Sequence, residues 1–579
     1  MTPQQDQPEG RALKDAADRR LMPEVEADNA AQRKTVAILK RALKAAETHN
    51  EKAVDLALKA VAADPSSGLA HHVAGVTLDR AGRLSQALQH YENAWRLTPE
   101  NADIYQNLGL VAWKLDMVDA AEKFFRLYRK MRPNSTDGAI NLAGALRDKG
   151  QFDDAAQILQ TSVYANMAEP TLWNALGTVL LESGDPGQAV TFYNEAIRLD
   201  PDFARGWHNL AYALDLIGDL PGAISAFENA LESPASPGDA AEMRHGLAHT
   251  LLADGQVARG WDEYAVRLTR DYNKSTVFLI KAPRWEGDTG ALKGKRVLLV
   301  GEQGLGDEIL FMNAARDLQD AIGPDGELMI ACTRRLVPLF QRSFPDAHVG
   351  QHGTFEAEGK KFRAVTWLEE HGGCDVWLPM GELARAFRGE TAAFPDRSGY
   401  MTPDPERVAA IKAQLDAIGP DPKIGIVWKS MLMTTQRSKF FSPFEQWRSV
   451  LETPGVSFVS LQYGDTADEL ARAEADYGVK IHQLDDLDLK DDLDGVAALG
   501  AALDLSIGPM NASTNLAAST GADVWFIAYK SHWPLLGAGR LLWYPQTRAF
   551  SPENWGDWKS TMGDIASALK QRLSKEKAA

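Results

Sequence analysis

Val297–Phe311 reads VLLVGEQGLGDEILF. Val297 to Val300 form a four-residue apolar run of the buried-strand type. Gly301, Gly304 and Gly306 follow as a turn in which backbone approaches a neighbour closely. Asp307 and Glu308 then open an apolar-periodic run, Ile309, Leu310, Met312, Ala315 and Leu318, which predicts a helix with acids in its first turn. Strand, glycine turn and helix make the first unit of a doubly wound α/β domain, in which ligands sit at the carboxyl ends of the strands. The helix N-terminus there offers free N–H groups and partial positive charge, which suit an anion. A glycine-rich turn that only packs is the competing reading.

The glycine order is G-x-x-G-x-G, not the G-x-G-x-x-G of dinucleotide folds. The next predicted strand, Glu327 to Cys332, ends in Thr333, Arg334 and Arg335, with no acid for a ribose. No Lys-Ser/Thr pair follows the last glycine, so the turn is not a P-loop either.

Working outward, 579 residues imply several domains. The net charge of −17 argues against nucleic acid or an anionic membrane surface as the main partner. Two cysteines, Cys332 and Cys374, give neither a disulfide framework nor zinc spacing and fit a reducing cytoplasm. The first residues lack the apolar core of a secretory signal, and no apolar run is long enough to span a bilayer. The expected location is therefore cytoplasmic.

The N-terminal half carries a period of 34 residues. Turn glycines fall at Gly82, Gly150, Gly184 and Gly218, with Asp116 filling the missing step. Alanines recur at Ala87, Ala121, Ala155, Ala189 and Ala223. Small residues recur one helix earlier at Gly75, Gly109, Ala143, Gly177 and Ala211, and prolines close units at Pro65, Pro99, Pro133 and Pro201. Small residues let paired helices approach, and proline punctuates between units because it cannot continue a helix interior. The pattern resembles the tetratricopeptide repeat, a helix–turn–helix unit that stacks into a solenoid. About seven units fit between Thr35 and Arg270, the first degenerate and the last shifted by an insertion near Ser233 to Gly238. Asn107, Asn141, Asn174 and Asn209 occupy similar repeat positions. Such a ladder either holds an extended peptide by its amides or bridges adjacent helices. The adjacent His71 and His72 face different sides of a helix and read as non-metal residues.

Beyond Asp271 the pattern changes. KAPRWEGDTGALKGK reads as a turn-rich linker. Strands are expected at Glu327–Cys332 and Val376–Leu378, then in a second series at Ile424–Trp428, Phe458–Leu461, Val479–His482, Leu503–Ile507 and Val524–Ile527, with helices between. The expected organisation is α followed by α/β. A flexible tail spans 1–34, the repeat array 35–270, a linker 271–293, a first Rossmann-like half 294–402 and a second half 403–579. Two such halves imply a cleft between them.

GEQGLGDEILF, IGIVWKS, SLQYGD and ALDLSIGPMNASTNLAASTGADVWF together resemble the GT-B glycosyltransferase domains related to the heptosyltransferase-like family 9. The chain is similar to bacterial proteins in which such a domain follows tetratricopeptide repeats. Within that set it resembles flagellin glycosyltransferases that attach nonulosonic acids of the pseudaminic or legionaminic type to Ser or Thr. The resemblance implies a metal-independent enzyme with no cofactor beyond its CMP-activated sugar, and flagellin or another protein recruited by the repeats. It matches Asp307 to the acid proposed as base in the family; Glu308 is the second choice, and a helix cap is the competing role for either.

Lys429 directly follows the Ile424–Trp428 strand and, with Ser430, is a candidate for the donor phosphate. Arg437, in TTQRSKFF, matches a family arginine. Either cation also suits a donor carboxylate; solvated surface is the competing reading. Asn511, Ser513, Thr514 and Asn515 place small polar groups at a helix start, suited to phosphate and ribose or to simple capping. The related sequences usually read D-T-x-x-A-H here, whereas this chain has Met510 and Asn515 in place of the Asp and His, which disfavours an ADP-heptose donor. Gln462, Tyr463 and Gly464 are candidates for the nucleobase, and Gly304 and Gly306 for close approach to the donor. The acidic run from Asp485 to Asp494 contains a D-x-D that reads as a solvated loop rather than a metal site. Two alternatives stay open: the same fold with UDP-N-acetylglucosamine or ADP-heptose and another acceptor, or a protein-binding scaffold without catalysis.

Overall fold

The computed structural model describes residues 30–46, 50–357, 359–431, 433 and 435–578. The expected tail therefore lies almost entirely outside the described residues. The chain divides into two compact units, one ending at Asn209 and the other running from Leu210 onward.

The first unit is a helical tetratricopeptide solenoid. Helices pair as Ala30–Ala45 with Asn50–Ala63, Gly68–Arg80 with Leu84–Leu97, Ala102–Lys114 with Val118–Met131, Thr136–Asp148 with Phe152–Ala165, and Pro170–Glu182 with Pro186–Leu199. The repeat chemistry explains the pairing. A Cβ added to Gly75 would stand 2.6 Å from the Tyr91 ring, one on Gly109 2.4 Å from Phe125, and one on Gly177 2.7 Å from Tyr193. Three small positions are thus glycine because an aromatic ring of the second helix lies against the backbone. In the turns, Gly82, Gly150 and Gly184 have φ of +75°, +74° and +100°, and Asp116 adopts the same left-handed region at 61°. Asp116 does fill the turn, in a conformation that favours glycine.

The second unit starts within the Ala204–Ile217 helix and contains Leu220–Glu232, Pro237–Ala253 and Val257–Tyr264 before the first strand. The final repeat pair is therefore built into the same unit as the sheets. The stretch expected as a linker is structured. It supplies β1 (Thr276–Phe278), and Trp285 and Trp377 tie it by backbone hydrogen bonds of 2.8 and 3.1 Å to the first sheet.

That sheet has four parallel strands, β2 (Arg296–Val300), β3 (Glu327–Cys332), β4 (His348–Gln351) and β7 (Val376–Pro379), in the order β4-β3-β2-β7. The second sheet is β8 (Lys423–Ile426), β9 (Ser457–Ser460), β10 (Ile481–His482), β11 (Leu505–Pro509), β12 (Val524–Ile527) and β13 (Arg548–Phe550). Its order, β10-β9-β8-β11-β12-β13, is 3-2-1-4-5-6 in its own strands, all parallel. Both sheets reverse direction beside their first strand, the place where doubly wound folds hold ligands. A further sheet, not foreseen in the sequence, is made by β5 (Gly353–Ala357) and β6 (Lys360–Ala364) with β1, in the order β1-β6-β5.

The largest buried cluster of this unit joins its parts, and smaller ones lie on the other faces of the two sheets. Leu252, Trp261 and Tyr264 of the last repeat, Val297, Leu299, Ile309 and Phe311 of the first half, and Leu516, Ala517 and Trp543 of the second are buried in a single cluster. The helix expected from Asp307 to Leu318 is broken into Leu305–Phe311 and Ala315–Ile322 by a 3₁₀ turn. The cause is Asn313, whose buried carbonyl accepts hydrogen bonds from Arg388 (3.2 Å) and Arg397 (3.0 Å).

Candidate functional site

The glycine turn lies at the carboxyl end of β2, between β3 and β7. Each glycine has a different neighbour. A Cβ on Gly301 would come 2.5 Å from the Glu308 carboxylate, and one on Gly306 3.4 Å from Asn515 Nδ2. Gly304 is the N-cap of Leu305–Phe311, and its N–H donates to Asp307 Oδ2 at 3.2 Å. The close approach made possible at Gly301 is thus to a protein carboxylate, whereas Gly306 brings the first half against the helix Ala512–Ser519 of the second.

Asp307 is half-buried. Burial raises its carboxyl to about 6, the nearby charges of Glu302 and Glu308 push the same way, and the Gly304 N–H and Arg267 pull it down. Asp307 therefore caps its helix and also has a proton affinity suited to a base near neutrality. Glu308 is differently placed. It is 1% exposed and accepts hydrogen bonds from the Thr333 N–H (2.9 Å) and Oγ1 (3.1 Å), and His352 Nε2 lies 3.2 Å away. Arg363 Nη1 stands 3.5 Å from the same carboxylate. These contacts fasten the helix to the end of β3 and to the β5–β6 hairpin.

A buried ion cluster that sequence reading missed lies beside the turn. Glu302 accepts Arg267 Nη2 at 2.8 Å and Nε at 3.2 Å, and the Gly381 N–H at 2.7 Å. Arg267 also reaches Glu382 at 3.1 Å and stacks on Tyr264 at 4.2 Å. Arg267 and Glu302 have side-chain exposures of 2% and 3%. Glu302 sits where the first sheet reverses direction, so an arginine from the last repeat occupies the wall of that crevice. No sequence signal marks the pair, because a buried charge and a solvated one look alike in a string of letters. The glycine at Gly381 is a trace of it: a Cβ there would lie 2.3 Å from Glu302 Oε1.

In the second half, Gln462 Oε1 accepts the backbone N–H groups of Trp428 (3.1 Å) and Lys429 (2.9 Å). Gln462 is 2% exposed and thus holds together the ends of β8 and β9. Lys429 Nζ donates to Asp465 O at 2.8 Å and pairs with Glu469, so its charge is already compensated within its own half. Ser430 is half-buried and Arg437 exposed. Gly464 has φ of +92°, a conformation that favours glycine.

Asn511 and Thr514 form a reciprocal cap: Thr514 N–H donates to Asn511 Oδ1 (3.2 Å), and Asn511 N–H donates to Thr514 Oγ1 (3.1 Å). Ser513 is buried. Three polar atoms near the carboxyl ends of β8 and β11 are enclosed without a partner: Trp428 Nε1, Asn511 Nδ2 and Asn515 Oδ1. The structure thus brings Gly306 to Asn515 and Lys429 to Gln462.

In the repeats, Asn107 Nδ2 lies 2.8 Å from His72 Nε2, and Asn209 Nδ2 donates to Asn174 Oδ1 at 2.9 Å. Asn141 is 5% exposed. The ladder therefore bridges adjacent units at Asn107 and between Asn174 and Asn209. In the acidic run, Asp488 accepts the N–H groups of Lys490 (2.8 Å) and Asp491 (3.0 Å), closing its own loop. No helix among the described residues is long and apolar enough to cross a membrane.

Paired helices at a 34-residue period followed by parallel sheets define a tetratricopeptide-repeat protein with an α/β second unit. The tetratricopeptide repeat family matches residues 80–116, 102–135, 140–202 and 174–240, which makes the array a protein-binding element. Protein FlbA of Caulobacter vibrioides is 42% identical over 533 residues, covering 92% of this chain and 89% of that protein, and the chain belongs to its family. The tetratricopeptide repeat-containing protein trd-1 of Caenorhabditis elegans is 23% identical over 137 residues, covering 24% of this chain and 18% of that protein. Among solved structures, a thermophilic tetratricopeptide protein of Thermus thermophilus aligns at 23% identity with a TM-score of 0.29, over 32% of this chain and 100% of that one.

Proposed function

We propose that the second unit is a GT-B glycosyltransferase that modifies a protein bound by the repeats. The donor is a CMP-activated nonulosonic acid, and the acceptor is a Ser or Thr of flagellin. The two doubly wound sheets are its two halves. Asp307 accepts the acceptor hydroxyl proton, the oxygen attacks the anomeric carbon, and the bond from that carbon to the CMP phosphate oxygen breaks. The Ala512–Ser519 helix start, with Asn511, Ser513, Thr514 and Asn515, contacts the donor, and Lys429, Ser430 and Arg437 lie on the phosphate side. The reading places the protein in the cytoplasm, where nucleotide sugars are made.

One observation carries it. Asp307, with its carboxyl raised to about 6, stands next to Gly306, which meets Asn515 of the opposite half. The resemblance of the four sequence stretches to glycosyltransferases supports the same assignment. Intact-mass spectrometry of flagellin incubated with the protein and a CMP-nonulosonic acid tests it. A mass increase lost in Asp307→Asn is expected, and an unchanged flagellin mass with the native chain refutes it. The pairing of Lys429 with Glu469, which leaves that cation compensated, favours the second reading of a protein-binding scaffold. The scaffold predicts flagellin binding without a mass change.

A further inference from the structure

The three-stranded sheet has an open edge next to the Asp307 turn. Among the described residues, β5 pairs only with β6, and all five of its residues are exposed. An exposed edge presents unpaired backbone N–H and C=O groups, whose natural complement is another extended backbone. Proteins usually blunt such edges with proline, inward charge or a bulge. Gly-Thr-Phe-Glu-Ala contains no proline; its one charged residue, Glu356, is exposed on the Thr354 face, and a half-exposed phenylalanine stands in the middle.

The edge is connected to the site. His352, immediately before β5, lies 3.2 Å from Glu308 through Nε2, and its Nδ1 lies 3.3 Å from Thr354 Oγ1. Arg363, opposite Thr354 in the register, donates to the Gln303 carbonyl at 3.1 Å and faces Glu308 at 3.5 Å. The Thr354–Arg363 face of the hairpin is therefore the face turned to the glycine turn. The opposite face carries Phe355 stacked on Phe362, with ring centres 5.3 Å apart and Phe355 49% exposed. Side chains alternate faces along a strand. A strand added to β5 would direct every second side chain towards the turn and lay the neighbouring ones on the two rings.

We infer that β5 is the docking strand for the acceptor: an extended segment of the acceptor protein adds to this edge by backbone pairing. Its Ser or Thr points to the Asp307 side, and an apolar or aromatic neighbour rests on Phe355 and Phe362. The inference rests on the protein O-glycosyltransferase reading and adds to it the form in which the acceptor is presented. β-strand addition of this kind draws affinity from main-chain hydrogen bonds and specificity from alternate side chains.

The test uses the full-length protein with purified flagellin as probe. Hydrogen exchange of residues 353–357 should slow by roughly tenfold or more when flagellin is added. Phe355→Glu should raise the KM for flagellin roughly tenfold, leave the thermal shift produced by CMP unchanged, and be rescued by Phe355→Tyr. Flagellin that binds and is modified while these amides stay unprotected overturns the edge but leaves the transferase reading intact. Protection that depends on protein concentration alone, without flagellin, assigns the edge to a second copy of the chain and likewise overturns it. Flagellin that is never bound removes the transferase reading and the docking strand together.

Discussion

Replacing Arg267 with methionine tests whether the last repeat is an integral part of the sheet unit or merely adjoins it. Glu302 has three short contacts, two from Arg267 and one from the Gly381 N–H. Methionine fills much of the arginine volume but leaves a carboxylate with 3% side-chain exposure holding a single hydrogen bond. Breaking a buried ion pair from one side costs about 3–5 kcal/mol, because the remaining charge is uncompensated. Loss of the guanidinium stacked on Tyr264 removes about 0.5–1 kcal/mol more. Burial alone opposes the Arg267 charge, and it is the Glu302, Tyr264 and Glu382 charges that raise its proton affinity on balance.

The measurement is hydrogen exchange by mass spectrometry on peptides covering 257–268, 296–311 and 376–388, with thermal unfolding alongside. All three peptides should lose protection together in Arg267→Met. The double variant Arg267→Met/Glu302→Leu should recover most of the loss, since well-packed apolar residues often substitute for a buried ion pair at little or no cost. A single-variant cost below about 1 kcal/mol, the range of an exposed pair, would refute the argument. So would a double variant no more stable than the single. Arg267 is also the cation that holds the Asp307 carboxyl down, so its removal should move the Asp307 titration upward.

The remaining expectations are narrower. The rate of sugar transfer should fall below about pH 6 as Asp307 takes up a proton, and Asp307→Asn should abolish that limb together with the activity. Folding stability should move the opposite way. The Asp307 carboxyl is raised in the fold, so the folded chain binds more protons between about pH 4 and 6, and stability declines across that window as pH rises. The decline is at most about 3 kcal/mol, reduced by solvent at this half-buried group, and Asp307→Asn should flatten it in urea titrations. Asp116→Gly relieves a left-handed aspartate at a position where four of the other turns have glycine, and should raise stability by roughly 0.5–1 kcal/mol in thermal melts. Gly109→Ala places a methyl 2.4 Å from Phe125 and should cost about 1–3 kcal/mol in the same melts. Adding Phe125→Leu should return most of it, since Ala143 and Leu159 already form that combination in the next unit.

The repeats were legible because their physics is local and iterated. Asp116 and the turn glycines share one backbone conformation, and Gly75, Gly109 and Gly177 share one kind of neighbour. The glycine turn and the parallel strands were legible for a related reason, since buried strands are short apolar runs wherever they occur. The β5–β6 hairpin escaped because GTFEA is exposed throughout and the one fully buried residue of KKFRA is an arginine, so neither segment shows the apolar face that marks a packed strand. The division of labour within the candidate site escaped because it depends on long-range partners. Glu308 and Asp307 are adjacent acids in the sequence, yet one is locked to Thr333 and His352 and the other caps its own helix with a raised proton affinity. Lys429 looks free at the end of a strand until Glu469, forty residues later, is folded beside it.

These pairings also bear on how binding and chemistry are joined. The Pro237–Ala253 and Val257–Tyr264 helices close the repeat pattern, but their buried faces belong to the core of the sheets. Trp261 Nε1 donates to Arg388 O at 3.0 Å, and Arg388 in turn holds Asn313 and Asp317 of the helices after the glycine turn. On the other side, Asp215 accepts Thr250 Oγ1 at 3.0 Å and Ser531 Oγ at 3.2 Å, linking two repeat helices to the loop after β12. Burial raises the Asp215 carboxyl to about 6 despite those two donors. Both routes are buried and hydrogen-bonded, so the last repeat pair cannot shift without breaking contacts to the Asp307 turn, to the second half, or to both. A buried network of this kind stiffens what it connects. The last repeat therefore acts as a structural part of the sheet unit and of the glycine-turn region, and sheets separated from the chain up to Tyr264 would be left with an exposed apolar wall around Phe311, Trp533 and Trp543.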